Sequence, residues 1–245
     1  MKSILSIAAL LSAGTFLAHA ANIGTEVVLP EDSELTFKYD YSSNSDTPTV
    51  NNENWSWGHY WNEIPTIADG VAHFSNGGPY TNSEVLFNVD EFTVAFDISE
   101  VTNSNDGAVL VFGQKNVNTY FYVTASTTSV KLFDGAGSAV VAYDVDLAGA
   151  TAKNIVISNS QSGSLIAVNG VIVAESEAYI TGGELSQYFN LGARFHGGLD
   201  KVAGTLDNVA LYGVAASAIP EPSAFGLLAG FGALALAGTR RRKRA

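Results

Sequence analysis

Apolar and polar residues alternate with period two through the body of this chain. In "LTFKYDY", Leu35, Phe37, Tyr39 and Tyr41 alternate with Thr36, Lys38 and Asp40; in "FTVAFDI", Phe92, Val94, Phe96 and Ile98 alternate with Thr93, Ala95 and Asp97. Successive side chains of a strand point to opposite faces, so both stretches predict half-buried strands. Further β-branched and aromatic runs follow in "AVLVF", "TYFYVT", "SVKLF", "AVVAY" and "NIVIS", parted by turn-rich segments such as "NSNDG" and "DGAGS". No segment carries the apolar spacing of an amphipathic helix. In "SLIAVNGVIVAES", Asn169-Gly170 sits between two β-branched runs. Both central residues of a type I′ turn take positive φ, which Asn and Gly tolerate, so a hairpin is predicted here. Many short strands, tight turns and no helix predict an all-β fold, a two-sheet antiparallel sandwich or jelly roll, with a β-helix as the structural alternative.

The two ends break the alternation. Residues 1–20, "MKSILSIAALLSAGTFLAHA", set Lys2 before an apolar run from Ile4 to Leu17 and end on the small residues Ala18 and Ala20 of a cleavage site. That is the make-up of a secretory signal peptide, with the mature chain starting at Ala21. The alternative is a retained anchor, against which the run is shorter than the roughly 20 residues of a spanning helix. At the other end, Ala224 to Thr239 is a second apolar run, followed at once by Arg240, Arg241, Arg242, Lys243 and Arg244. It predicts a short C-terminal transmembrane helix whose basic flank stays cytoplasmic while everything before it lies outside. Just ahead of it, Pro220 and Pro222 flank Glu221. Prolines hold the backbone extended and lack an N–H, which leaves this segment open to a processing enzyme.

A short motif, an apolar helix and a basic cluster, in that order, resemble the PEP-CTERM sorting signal of Gram-negative bacteria that make exopolysaccharide. Pro220-Glu221-Pro222 is the motif, and the resemblance covers Ile219 to Ala245. It implies recognition by an exosortase, transient insertion in the inner membrane, removal of the helix and arginines, and delivery to the cell surface or extracellular matrix. A permanent inner-membrane anchor is the alternative. The expected organisation is a signal peptide at 1–20, a sandwich domain at 21–217 and a sorting signal at 218–245.

Charge changes the picture once both ends are gone. The chain has 245 residues, with 24 acidic side chains against 12 basic ones. Cleavage by signal peptidase and exosortase would remove Lys2 and the basic tail, leaving Lys38, Lys115, Lys131, Lys153, Arg194 and Lys201, while Glu221 is the one acidic residue lost. So anionic a domain argues against nucleic acid and sulfated glycans as partners, and the arginine cluster does not act as a nucleic-acid site. Neutral sugars, cations or plain solubility remain compatible with it. The chain has no cysteine. In an exported protein this leaves burial alone to hold the fold, and it excludes thiol catalysis, thiolate metal centres and disulfide redox chemistry.

A second resemblance lies in the body. "LIAVNGVIVAES" and then "FNLGARFHGGLDKVAGTLDNVALYGVA" are similar to the last third of a laminin-G-like, concanavalin A-like sandwich of the lectin and glucanase type. That ending runs Leu-Gly, a loop, then Gly-x-Leu-Asp-Asn-Val-x-Leu-Tyr, here Leu191-Gly192 and Gly204 to Tyr212. "GVAHFSNG" and "DEFTVAFDIS" resemble the early strands more loosely. Two departures stand out: Ala152 and Lys153 replace the family's Trp-His pair, and nothing before Gly70 matches. The resemblance implies carbohydrate binding and one structural calcium ion. Asp207 and Asn208 occupy the Leu-Asp-Asn motif, and Asp200 is a further oxygen ligand nearby. The alternative for Asp207 is a hydrogen bond to loop backbone that shapes the strand entry.

Catalysis finds little support. Retaining glucanases of this sandwich are similar in using Glu-x-Asp-x-x-Glu, whose carboxylates stand roughly 5 to 5.5 Å apart as nucleophile and general acid. In "AFDISE", Asp97 and Glu100 match, but Ala95 stands at the nucleophile and has no oxygen to attack with. His59, His73 and His196 lie near no Gly-x-Ser-x-Gly elbow and form no His-x-x-x-His pair. The chain therefore reads as non-enzymatic. "NWSWGHYW" holds all three tryptophans. In an extended backbone Trp55, Trp57, His59 and Trp61 share one face, an apolar platform on which a pyranose ring could stack beside polar neighbours. The alternative is that these rings belong to the core. Three functional classes follow: an exported module that binds polysaccharide, a structural component of the matrix or biofilm, and, disfavoured by Ala95, a glycoside hydrolase.

Overall fold

The structure is a computed structural model that describes residues 22–218 apart from 43–44, 46, 60–64, 76–77, 114–118 and 194–200. It is the expected all-β sandwich. One sheet runs Val171–Ser176, Gly163–Val168, Lys153–Ser160, Phe92–Ser99, Gly204–Tyr212, Leu35–Tyr39 and Val50–Asn51; Val71–Phe74 also pairs with Gly204–Tyr212 and carries Thr66–Ala68, making nine strands. The facing sheet has seven strands, Ala139–Asp144, Ser129–Asp134, Thr119–Ser126, Gly107–Gly113, Phe189–Leu191, Pro79–Thr81 and Trp57–His59. Every pairing between these strands is antiparallel. This meets the sandwich expectation and not the β-helix alternative, which needs parallel pairing. No helix of the described residues is long and apolar enough to cross a membrane. The predicted C-terminal transmembrane helix and the Pro220-Glu221-Pro222 motif lie outside the described residues.

The alternation read from the sequence decides which side chains meet between the sheets. Phe37, Tyr39, Phe92 and Phe96 from the first sheet and Phe112, Phe121 and Phe189 from the second are fully buried. Phe92 stacks on Phe121 across the sandwich at 4.2 Å, and Phe112 lies against Phe189 at 4.6 Å. Such aromatic pairs add about 0.5–1.5 kcal/mol each beyond their burial.

The outer face of the nine-stranded sheet is also covered. Leu35, Ala95, Val156, Ala167, Ala210 and Tyr212 form a second, smaller apolar cluster there. Leu35, expected beside Phe37, sits on this other face because the ladder slips: Leu211 opposes Phe37, but Tyr212 opposes Leu35. The extra residue, Thr36, makes a bulge that flips the strand end. A ribbon of Val27–Val28 paired with Ser217–Ala218 lies against this cluster through Val27, Ala216 and Ala218. The incoming chain also caps the free edge at Val171–Ser176: Gly24 N–H donates to Ile172 O (2.8 Å), Ile172 N–H to Thr25 O (2.9 Å) and Val27 N–H to Gly170 O (2.8 Å). An edge that would otherwise offer its backbone to another chain is thereby closed.

The Asn169-Gly170 hairpin forms as predicted, with φ of 51° and 82° and Val168 opposite Val171.

Candidate functional site

The tryptophan segment enters the structure through an asparagine clamp. Asn51 Nδ2 donates to Trp55 O and Asn51 Oδ1 accepts from Trp55 N–H (3.1 Å), and Asn54 turns the chain with a φ of 53°. Trp57–His59 then pairs with Pro79–Thr81 as the edge of the seven-stranded sheet. Asn82 ties the segment down, donating from Nδ2 to Trp57 O (3.0 Å) and Ser56 Oγ (3.1 Å).

Trp55 and Trp57 share a face, as expected, and that face meets the core. Trp55 stacks on Phe189 at 5.2 Å with an interplanar angle of 20°. Trp57 stands edge-on to Phe37 at 5.0 Å and to Tyr39 at 5.3 Å. Both are half-buried, and Trp57 Nε1 is buried without a hydrogen-bond partner among the described residues. Of His59 the backbone alone is described, opposite Pro79; Trp61 lies outside the described residues.

Asp207 and Asn208 come together on the nine-stranded sheet. Asp207 opposes Asp97, whereas Ala210 opposes Ala95, so one extra residue bulges out and Asn208 takes a left-handed φ of 51°. Asn208 N–H donates to Asp207 Oδ1 (2.7 Å), and Asn208 Nδ2 reaches both Asp97 Oδ2 (2.9 Å) and Asp207 Oδ2 (3.1 Å). Asn154 Nδ2 donates to the remaining oxygen of Asp97 (2.8 Å). Burial pushes the Asp207 carboxyl above its ordinary pKa, the Asn208 N–H opposes that shift, and the neighbouring charges of Asp97 and Asp40 add to it. As placed, Asp207 and Asn208 bind each other, and all four oxygens of Asp97 and Asp207 accept amide hydrogens. Asp200 lies outside the described residues, and among those described no group of three or more His, Asp or Glu side chains could hold a metal. Sequence reasoning missed Asn154 in this cluster; an asparagine in a strand gives no sign of which carboxylate lies across the ladder.

The other acidic and histidine positions are also accounted for. Ala95 is buried in the outer cluster, and Glu100 Oε2 accepts from Thr205 Oγ1 (3.1 Å). His73 is exposed, with Nδ1 3.3 Å from the same threonine oxygen. His196 lies outside the described residues.

No family model matches the chain, and no curated protein matches it at the sequence level. Solved structures do match in fold. A sialidase from Trypanosoma rangeli in complex with sialic acid superposes with a TM-score of 0.55 at 14% identity, over 86% of this chain and 36% of its own. Domain 4 of AbnA, a GH43 extracellular arabinanase from Geobacillus stearothermophilus in complex with arabinotriose, gives 0.52 at 16% identity, over 78% of this chain and 95% of that domain. The ligand-binding domain of botulinum neurotoxin serotype D in complex with N-acetylneuraminic acid gives 0.53 at 11% identity, over 75% and 48%. At such identities the likeness shows the β-sandwich fold. The chain spans about a third of the sialidase's length.

Proposed function

We propose that this is an exported protein, released from its signal peptide by signal peptidase and sorted by exosortase. Its β-sandwich would bind carbohydrate without cleaving it, at the cell surface or in the exopolysaccharide matrix. The observation that carries the reading is the fold likeness to sugar-bound sandwiches, above all to domain 4 of the arabinanase, a unit matched over 95% of its length and bound to arabinotriose. The non-catalytic part rests on Ala95 at the nucleophile position and on Asp97 engaged with Asn154 and Asn208. The sorting part rests on the order of Pro220-Glu221-Pro222, apolar run and basic end.

Two measurements test it. In host cells, the Glu221→Ala and Pro222→Ala double variant is expected to accumulate in the inner membrane with its tail uncut, while the unaltered protein is released; equal release of both would overturn exosortase sorting. On a glycan panel that includes the host exopolysaccharide, saturable binding is expected, and an EDTA arm reads any calcium requirement. Absence of binding would favour the second reading, a structural matrix component, to which the packing of Trp55 and Trp57 against the core already lends support.

A further inference from the structure

Asn22 is held firmly for a residue so close to a cleavage site. Its carbonyl accepts from Thr25 N–H (2.9 Å) and Thr25 Oγ1 (2.6 Å), and Gly24 takes a φ of 93° as the chain turns there. Its side chain reaches across to the strand Val171–Ser176, where Nδ2 donates to Glu175 Oε1 at 2.9 Å. The residues that open a domain usually fray unless something ties them down. Here one asparagine is tied by both its main chain and its side chain, and the strand it reaches is the edge that Gly24, Thr25 and Val27 close.

Glu175 is only half satisfied by this contact. Its Oε2 is shielded from solvent and has no hydrogen-bond partner among the described residues. A buried carboxylate oxygen without a donor is costly, and native proteins pair such groups. Asn22, Glu175 and Ser217 border a cavity of ≈ 340 Å³, and no lysine, arginine or histidine is among the described residues that line it. Cleavage after Ala20 creates a cation at this place. It frees an α-ammonium on Ala21, which lies outside the described residues but is joined to Asn22, and consecutive Cα atoms stand about 3.8 Å apart. An α-amino group, with an ordinary pKa of about 7.7–8.0, is largely charged at neutral pH. Carried by the neighbour of the residue that grips Oε1, it needs no path from solvent to reach Oε2.

We infer that Glu175 is the counter-ion of the mature N-terminus: the ammonium of Ala21 donates to Oε2 while Asn22 holds Oε1. The inference rests on the signal-peptide cleavage proposed above and adds a consequence for the fold. While the signal peptide is attached, residue 21 offers an uncharged amide; once it is cut, the ion pair fastens the entering chain over the Val171–Ser176 edge. Maturation thereby tightens the cap that keeps this edge from pairing with another chain.

Insertion of Gly-Ser between Ala20 and Ala21 tests it in the exported protein, since cleavage after Ala20 then leaves the ammonium two residues too far out. Mass spectrometry of the intact protein reads where each chain begins. The insertion should lower the melting temperature by about 2–4 °C. It should also speed deuterium uptake in the peptide that bears Ile172, whose N–H donates to Thr25 O at 2.9 Å. Glu175→Gln keeps an oxygen for Asn22 but turns an NH2 group toward the ammonium, and in that background the insertion should change neither reading. An effect as large in the Glu175→Gln background, or no effect with Glu175 in place, overturns the ion pair and leaves cleavage standing. An unaltered protein that does not begin at Ala21 overturns the cleavage site, and the ion pair with it.

Discussion

Asn159 shows how much a single buried amide can hold. It is fully buried; Nδ2 contacts the carbonyls of Val89, Asp90 and Ile180 at 3.1–3.2 Å, and Oδ1 accepts from Ile180 N–H (2.8 Å) and Ser164 Oγ (3.0 Å). Asn159→Leu would strand these groups in the interior, so a loss of about 3 kcal/mol is expected from denaturant unfolding; a loss under about 1 kcal/mol would show that the network is dispensable. Nearby, Asp90 Oδ1 accepts from the N–H groups of Gly182 (2.8 Å) and Gly183 (2.9 Å), and these bonds hold its carboxyl below the ordinary pKa of 3.8. A depressed folded-state pKa contributes stability that is present above 3.8 and lost as pH falls through the folded value. Asp90→Asn keeps an acceptor that does not titrate in that window, so the fall in stability below that pH should be shallower in the variant; superimposable acid-unfolding curves would refute this. Neither residue was legible in the sequence. Both act on backbone that is distant along the chain, and a polar side chain between strands looks the same whether it faces solvent or a carbonyl from elsewhere.

Turns were the most legible elements and bulges the least. A type I′ turn needs two adjacent residues that tolerate positive φ, and Asn169-Gly170 advertises that locally. Asp69-Gly70 makes the same kind of turn, with φ of 55° and 78° between Thr66–Ala68 and Val71–Phe74. Its signal was present but lay between shorter, less apolar runs. The bulges at Thr36 and Asn208, by contrast, are set by which strand lies alongside, and no local pattern marks them. Two glycines separate these local and tertiary demands. At Gly170 a Cβ meets nothing within 4 Å, so the cost of Gly170→Ala is backbone strain at positive φ, about 1 kcal/mol. At Gly107 a Cβ would stand 2.7 Å from both the carbonyl carbon of Lys201 and Cα of Val202, which are main chain and cannot swing aside. Gly107→Ala is therefore expected to cost about 3 kcal/mol, as overpacking does. The ordering can be read from paired melting curves, and Gly107→Ala proving the milder change would contradict it.

For the whole molecule, period-two alternation sufficed for the sandwich, because strands buried on one face write that burial into every second residue. It could not tell Trp55 and Trp57 as a platform from Trp55 and Trp57 as core, since both need the rings on one face; the difference lies in Phe37, Tyr39 and Phe189 meeting them from other strands. Nor could it show the serine-lined cavity on the outer face of the nine-stranded sheet, whose walls come from three strands and from Ala216, Ser217 and Ala218. What the sequence does carry at this scale is charge. With no disulfide, the fold is held by burial against the self-repulsion of a chain whose formal net charge is −12. Among the described residues Lys131 and Asp106 form an ion pair at 2.9 Å, too exposed to offset much of that repulsion. The charges of Asp97 and Asp40 moreover make the Asp207 carboxylate costlier to ionise. The Debye length shrinks from about 30 Å at 0.01 M salt to about 8 Å at 0.15 M, which screens charges spread over the surface while leaving burial untouched. The melting temperature of the protein should therefore rise by a few degrees over that range of sodium chloride and level off beyond it. A melting temperature that falls with salt would mean that attractive charge pairs outweigh the repulsion and that the acidic surface is already neutralised within the fold.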